Sequence, residues 1–289
     1  DCVVLGRYFK QALPNYAVFD ERRYFSAGTE PLVIEIKGSR LGVLICEDAW
    51  VPGPALMSKS AGAELLLVTN ASPFRDNKLA ARLQILEVRG KECGLPIVYN
   101  NLVGGQDELV FDGRSMLMSA SGGFSILDNP CEESLSIASY KPESGELWFE
   151  GSEDKANLDV DAVQQTENLT ACIYAVLVRG LQDYIHKNSF TDVVIGLSGG
   201  IDSALTLALA VDALGAEHVH TVMMPSRHTT RLSLMLALEQ AEMLAVEHRD
   251  ISIEPAYEAL LGSLEVSFEG CKAGVTEENL QARVRGSVL

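Results

Sequence analysis

Two stretches of this sequence hold residues whose types and spacing can do chemistry. The first is Gly196-Leu-Ser-Gly-Gly-Ile-Asp-Ser203, placed between the apolar run Val193-Val-Ile-Gly-Leu197 and a helical pattern reaching Leu214. Adjacent glycines let the backbone approach a ligand closely. The free N–H groups and dipole of a helix N-terminus favour an anion there. Ser198 and Ser203 add hydroxyls, and Asp202 adds a carboxylate able to hold Mg²⁺ on that anion. The competing reading is an ordinary strand-to-helix turn in which Asp or Ser caps the helix. The second stretch ends in Cys46, which follows Leu41-Gly-Val-Leu-Ile45 and precedes Glu47-Asp48. A thiolate is a nucleophile toward an amide carbonyl. An ammonium beside it, such as that of Lys10, lowers the thiol pKa and stabilises a tetrahedral oxyanion. Taken singly, Cys46 reads equally as an inert core cysteine and Lys10 as a solvated lysine.

These groups need elements to hold them. Val33–Ile36, a turn at 37–40 and Leu41–Cys46 read as a hairpin, followed by a short helix over 54–63 and a buried strand over 65–69. Apolar residues at 79, 83 and 86 predict a helix over 77–93 that stops at Gly94. Strands follow over 96–100, 108–111 and 115–118. From Asp128 to about Gln165 the chain turns polar, acidic and rich in turn residues. We therefore expect one domain over 1–140, a linker over 141–165 and a second domain over 166–289. Beyond the linker the rhythm is helix 167–187, strand 193–197, helix to 214, strand 218–224, helix 232–246 and strand 249–253. Strands alternating with helices predict a parallel sheet with ligand sites at its carboxyl edge. A further helix covers 277–289.

Composition bounds the function. The 289 residues carry a formal net charge of -17, which excludes the basic patches of a nucleic-acid binder and disfavours an anionic membrane surface. No apolar run approaches the ~18 residues of a membrane span. The six cysteines (2, 46, 93, 131, 172, 271) are widely spaced, without a C-x-x-C pair, and read as reduced thiols of a cytoplasmic protein. His218 and His220 would share one face of a strand, a weak metal signal.

Ser-Gly-Gly-Ile-Asp-Ser resembles the pyrophosphate loop of the ATP pyrophosphatase superfamily; it is not a Walker A loop, because no Gly-Lys-Ser/Thr follows. The Lys10 and Cys46 motifs resemble the nitrilase superfamily, with its Glu–Lys–Cys triad. Both together, with Ile45-Cys-Glu-Asp-Ala-Trp50, Asn70-Ala-Ser-Pro-Phe74, the 96–113 stretch, Val222-Met-Met-Pro-Ser-Arg227 and Glu278–Gly286, resemble the bacterial glutamine-dependent NAD⁺ synthetase family.

That resemblance implies an α/β chain: a nitrilase-like α-β-β-α sandwich followed by a doubly wound parallel-sheet domain. It implies Cys46 and Lys10 as catalytic, Glu21 as supporting, and Tyr16, Ser72 and Lys78 as glutamine-binding. It implies ATP at Gly196, Leu197, Ser198, Gly199, Gly200, Ile201, Asp202 and Ser203, Mg²⁺ at Asp202, and nicotinic acid adenine dinucleotide at Asn279, a position also open to a helix cap or turn. It implies a cytoplasmic homo-oligomer. The family's base glutamate lies before the lysine, and residues 1–9 hold no Glu; Arg231 and Leu236 stand where the family is acidic. Residue 1 is Asp and the last helix is still running at Leu289, so the expectation is the middle of a longer enzyme, with both domains incomplete and little glutaminase activity of its own. The alternative is a fragment that keeps ATP binding only. Other amidotransferases with the same loop are disfavoured by the Lys10 and Cys46 motifs, and tRNA-modifying relatives by the charge.

Overall fold

The computed structural model describes residues 3–127, 129–151, 168–270 and 274–289. They divide into two compact units, one up to Val176 and one from Leu177.

The first unit opens with a strap over residues 3–31 that includes the single helical turn α1 (Glu21–Tyr24). Strands β1 (Leu32–Ile36) and β2 (Ser39–Ile45) then form the expected hairpin. Its turn is tighter than expected, just Lys37-Gly38, with φ of 50° and 83°. Two positive φ values give the turn whose twist matches that of paired strands. Next come α2 (Pro54–Ser60), β3 (Leu65–Asn70), α3 (Lys78–Cys93) and β4 (Ile97–Asn101). A small hairpin, β5 (Val103–Gln106) and β6 (Leu109–Asp112), precedes β7 (Met116–Met118) and β8 (Phe124–Ile126). The main sheet has the order β1-β2-β3-β4-β7-β8. Its β2–β3–β4 centre is parallel and its flanks are antiparallel. The periodic face of α3 does what its sequence requires, burying Leu79, Leu83 and Leu86 against Leu66, Val68, Ile97 and Met116.

One polar assembly lies inside this unit. Arg82, fully buried on α3, donates to both carboxylate oxygens of Asp112 at the end of β6 (2.8 and 3.0 Å). It also donates to the Ser72 Oγ (3.2 Å) and backbone carbonyl (2.7 Å). The Asn101 side chain at the end of β4 accepts from the Ser72 N–H (2.9 Å) and donates to the Gly113 carbonyl (2.9 Å). This pins the 70–74 loop to three elements.

Strands β9 (Ala138–Lys141) and β10 (Glu146–Phe149) pair as a further hairpin. Of the expected linker, residues 152–165 lie outside the described residues. Helix α4 (Leu169–Lys187) runs from one unit into the other.

The second unit alternates as expected: β11 (Val193–Gly196), α5 (Ile201–Leu214), β12 (Val219–Met223), α6 (Arg231–Met243) and β13 (Glu247–Asp250). Helices α7 (Glu254–Leu264) and α8 (Val275–Val288) follow, the first unforeseen. The three strands are parallel, in the order β11-β12-β13. Leu197, Leu207, Val219, Met223, Ala237 and Ala241 form the core between sheet and helices. The last strand starts two residues earlier than expected because Ala245, at φ 55°, turns the chain out of α6. The two-histidine face is corrected: His218 closes a 3-10 turn, Ala216–His218, ahead of β12. Both rings point to Asp192 (3.4 and 3.5 Å), and His220 also meets Glu247 (2.8 Å). Among the described residues no group of three or more His, Cys, Asp or Glu can hold a metal ion, and no helix is long and apolar enough to cross a membrane.

Arg82→Leu leaves the Asp112 carboxylate buried and unpaired, which should destabilise the first unit by about 3–5 kcal/mol. Both tryptophans, Trp50 and Trp148, lie in that unit, so urea unfolding followed by tryptophan fluorescence measures it separately. A double Arg82→Leu/Asp112→Leu variant should recover part of the loss.

Candidate functional site

In the first unit the chemistry gathers where β2 ends. Cys46 starts a 3-10 turn, Cys46–Ala49, with a left-handed backbone (φ 45°). Non-glycine residues take that conformation at a cost of about 1–3 kcal/mol and concentrate at functional sites. The thiol is partly buried, and burial pushes its pKa up. The Lys10 charge and a hydrogen bond from the Ala71 backbone pull it down; Glu47 and Glu21 push it up. Lys10 Nζ lies 2.7 and 2.8 Å from the Glu21 carboxylate oxygens, and both side chains are largely shielded.

The other expected glutamine contacts surround this turn. The Tyr16 hydroxyl donates to Glu47 (3.0 Å to either oxygen), and burial together with Glu47 pushes its pKa up to about 12. Lys78, the first residue of α3, holds its ammonium 3.9 Å over the Trp50 ring. Its pKa is lowered, first by burial and then by Arg82 and Arg75. Ser72 is buried, with its hydroxyl accepting from Arg82, and the neighbouring Ala71 supplies the N–H to Cys46. Lys10, Glu21, Tyr16, Ser72 and Lys78 are thus brought to one end of the parallel strands around Cys46.

Glu47, Asp48 and Trp50 were not singled out by sequence reasoning. Their adjacency to Cys46 was the available signal. Asp48 is the least expected, being completely buried.

In the second unit the 196–203 segment is a strand–loop–helix turn at the carboxyl end of β11. The Ser198 Oγ lies 3.0 Å from the Ser203 Oγ, and Ser203 also accepts from the Ser198 N–H (3.2 Å) and donates to the Gly200 carbonyl (2.9 Å). Gly199 has φ 74°, and a Cβ there would fall 2.3 Å from the Ser233 carbonyl of α6. Leu197 anchors the loop in the core, while Ile201 and Asp202 are exposed in the first turn of α5. Gly200 occupies the cap position without a side-chain bond, so neither Asp202 nor Ser203 is the helix cap. Asn279 is exposed within α8, four residues after its start, so it is neither a cap nor a turn residue.

The carbon–nitrogen hydrolase family model matches residues 3–148, half of the chain. The chain belongs to the carbon–nitrogen hydrolase family. Residues 173–289 match the NAD synthase model. The chain is 44% identical to a glutamine-dependent NAD(+) synthetase of Xylella fastidiosa over 98% of its own length and 50% of that protein. It is 42% identical to the one of Acinetobacter baylyi over 100% of its length and 51% of that protein. Among solved structures, the glutamine-dependent NAD⁺ synthetase of Acinetobacter baumannii, in complex with ADP, superposes with a TM-score of 0.88 at 40% identity. That match covers 99% of this chain and 52% of the other. The chain therefore spans about half the length of the curated relatives it matches. The expected fold class holds: a nitrilase-like domain followed by a parallel-sheet NAD synthase domain.

Gly199→Ala should cost about 1 kcal/mol or more from its φ alone, with the clash against Ser233 added. Hydrogen–deuterium exchange should then accelerate over 197–204; unchanged exchange would show that the close approach of loop and α6 is not needed.

Proposed function

We propose that this chain carries the two half-reactions of a glutamine-dependent NAD⁺ synthetase. The observation that carries the reading is the presence, in one chain, of the Lys10–Cys46 site and the Ser-Gly-Gly-Ile-Asp-Ser turn. Neither alone selects this reaction; together they require a source of ammonia and a carboxylate activated by ATP.

In the first unit the Cys46 sulfur attacks the glutamine carboxamide carbon. The C–N bond breaks, ammonia leaves, and water then hydrolyses the thioester to glutamate. The Lys10 ammonium stabilises the oxyanion of each tetrahedral intermediate. Glu47, beside Tyr16, has the charge to receive the glutamine ammonium group, and Arg75 and Lys78 have the charge to receive its carboxylate. Ser72 and Asn101 hold the loop that carries the Ala71 N–H.

In the second unit a nicotinate carboxylate oxygen of nicotinic acid adenine dinucleotide attacks the α-phosphorus of ATP and pyrophosphate leaves. Ammonia then attacks the acyl adenylate, releasing AMP and giving NAD⁺. The backbone amides of 198–201 and the Ser198 and Ser203 hydroxyls cradle the departing pyrophosphate, and the missing Cβ of Gly199 keeps the loop closed on α6. Asp202 fits a Mg²⁺ site by its chemistry, since its carboxylate is exposed and engages none of the described residues. Bound there, Mg²⁺ would neutralise charge on the leaving phosphates. Asn279, exposed on α8, is the proposed contact to the dinucleotide.

Cys46→Ala should reduce glutamine-driven NAD⁺ formation by about three orders of magnitude or more, with ammonium chloride restoring turnover. Undiminished glutamine-driven turnover in that variant would end the glutaminase assignment. Asp202→Asn should weaken Mg²⁺-dependent ATP binding about tenfold, read by calorimetry, equivalent to the loss of one charged contact.

A further inference from the structure

Lys10 does not sit on a strand or a long helix. It lies in the strap of residues 3–31, where the nearest regular element is the single turn α1. A catalytic ammonium must nevertheless be held to within a fraction of an ångström. Two visible restraints act on Lys10 itself: its side chain pairs with Glu21, and its carbonyl accepts from the Gly28 N–H (2.9 Å). Both partners belong to the same strap, so neither fixes it to the element carrying Cys46.

Asp48 does. Its Oδ1 accepts from the Gln11 N–H (3.0 Å) and the Ala12 N–H (2.7 Å), and its Oδ2 accepts from the Tyr8 hydroxyl (2.8 Å) and the Ile45 N–H (3.1 Å). Three of these donors flank Lys10 on both sides, and the fourth belongs to the last residue of β2, directly before the cysteine. The carboxylate is fully buried. Hydrogen bonds to an ionised acceptor are the strong ones, and a buried carboxylate left unbonded would be costly. We propose that Asp48 is a positioning residue: it clamps the Lys10 strap to the Cys46 turn, so that the distance between ammonium and thiol is set by one buried carboxylate. This rests on the assignment of Lys10 and Cys46 made above.

The sign of the electrostatic effect tests it. Asp48→Asn removes a negative charge near the thiol, and acting directly it would lower the Cys46 pKa. Acting by releasing Lys10, it would raise it. The groups bearing on Cys46 are Lys10, Lys78, Glu47, Glu21, Tyr16, Tyr99 and the Ala71 N–H, and the titratable group facing Asp48 is Tyr8. The experiment is the pH dependence of Cys46 alkylation by iodoacetamide in the whole chain, read by mass spectrometry on the Cys46 peptide, for wild type, Lys10→Met, Asp48→Asn and the double variant.

The expected result is slower alkylation in Asp48→Asn at pH 8, by about three- to fourfold for each unit of upward pKa shift once the higher nucleophilicity of the more basic thiolate is counted, a similar slowing in Lys10→Met, and no further slowing when the two are combined. Asp48→Asn that alkylates at the wild-type rate or faster, while Lys10→Met slows, overturns the clamp and leaves the Lys10 assignment standing. If Lys10→Met also leaves the rate unchanged, the Lys10 assignment falls and the clamp with it. Slowing that adds fully in the double variant overturns the route through Lys10. Should Asp48→Asn fail to fold, Tyr8→Phe keeps the half-buried ring and removes one donor. It should slow alkylation in the same direction by a smaller factor, and an unchanged rate overturns the proposal.

Discussion

The first unit depends on keeping Cys46 at φ 45°, a backbone that a residue with a side chain does not adopt by itself. The conformation persists because its surroundings over-determine it. On one side β2 is locked in register with β3, Ile45 opposite Thr69, so the strand cannot slip. On the other, the Asp48 carboxylate accepts from the Ile45 N–H while the fully shielded Ala49 sits in the core. Of the turn between them, only the thiol and the Glu47 side chain are directed at the site. The left-handed turn thus sets where the sulfur lies at the end of β2.

The second unit solves a similar problem by the opposite means. Its loop follows β11 as the cysteine turn follows β2, but in the proposed function the group to be held is an anion and its ligands are backbone amides. A side chain at position 199 would obstruct them, and the 2.3 Å approach to the Ser233 carbonyl shows that the space is already taken by α6. The serine hydroxyls bond to each other and to loop backbone, so they shape the loop before any ligand arrives. In one unit a non-glycine residue occupies the left-handed region at the proposed nucleophile. In the other a glycine occupies that region to expose the backbone.

What could be read from the sequence follows from how local each feature is. The 196–203 loop was legible because strand, glycines, hydroxyls and helix start are contiguous. The helix over 78–93 was legible because its buried residues recur at helical spacing and Gly94 stops it. Lys10 and Cys46 are far apart in sequence and joined only by tertiary folding, so resemblance linked them where periodicity could not. The strand at 103–106, partner of the expected 108–111 strand, and the hairpin at 138–149 were missed because Gly-Gly and acidic turn residues read as loop, whereas cross-strand bonds supply the order that their side chains do not advertise. Asp48 was illegible for a sharper reason. Aspartate normally marks a surface, and only a strap folding back to deliver N–H groups makes its burial favourable.

The same geometry constrains how the thiol loses its proton. Burial pushes the Cys46 pKa up, and the two carboxylates whose charge bears on it, Glu47 and Glu21, push it further. Lys10 acts the other way, but Glu21 lies 2.7 Å from its ammonium and offsets part of its field at the sulfur. Both carboxylates are already engaged. Each oxygen of Glu21 already takes a bond from Lys10, and each oxygen of Glu47 lies within bonding distance of the Tyr16 hydroxyl. A proton placed on Glu21 would dismantle the ion pair that orients the lysine, removing the oxyanion's cation at the moment it is needed. Glu21 is therefore suited to orienting Lys10 rather than to taking the thiol proton.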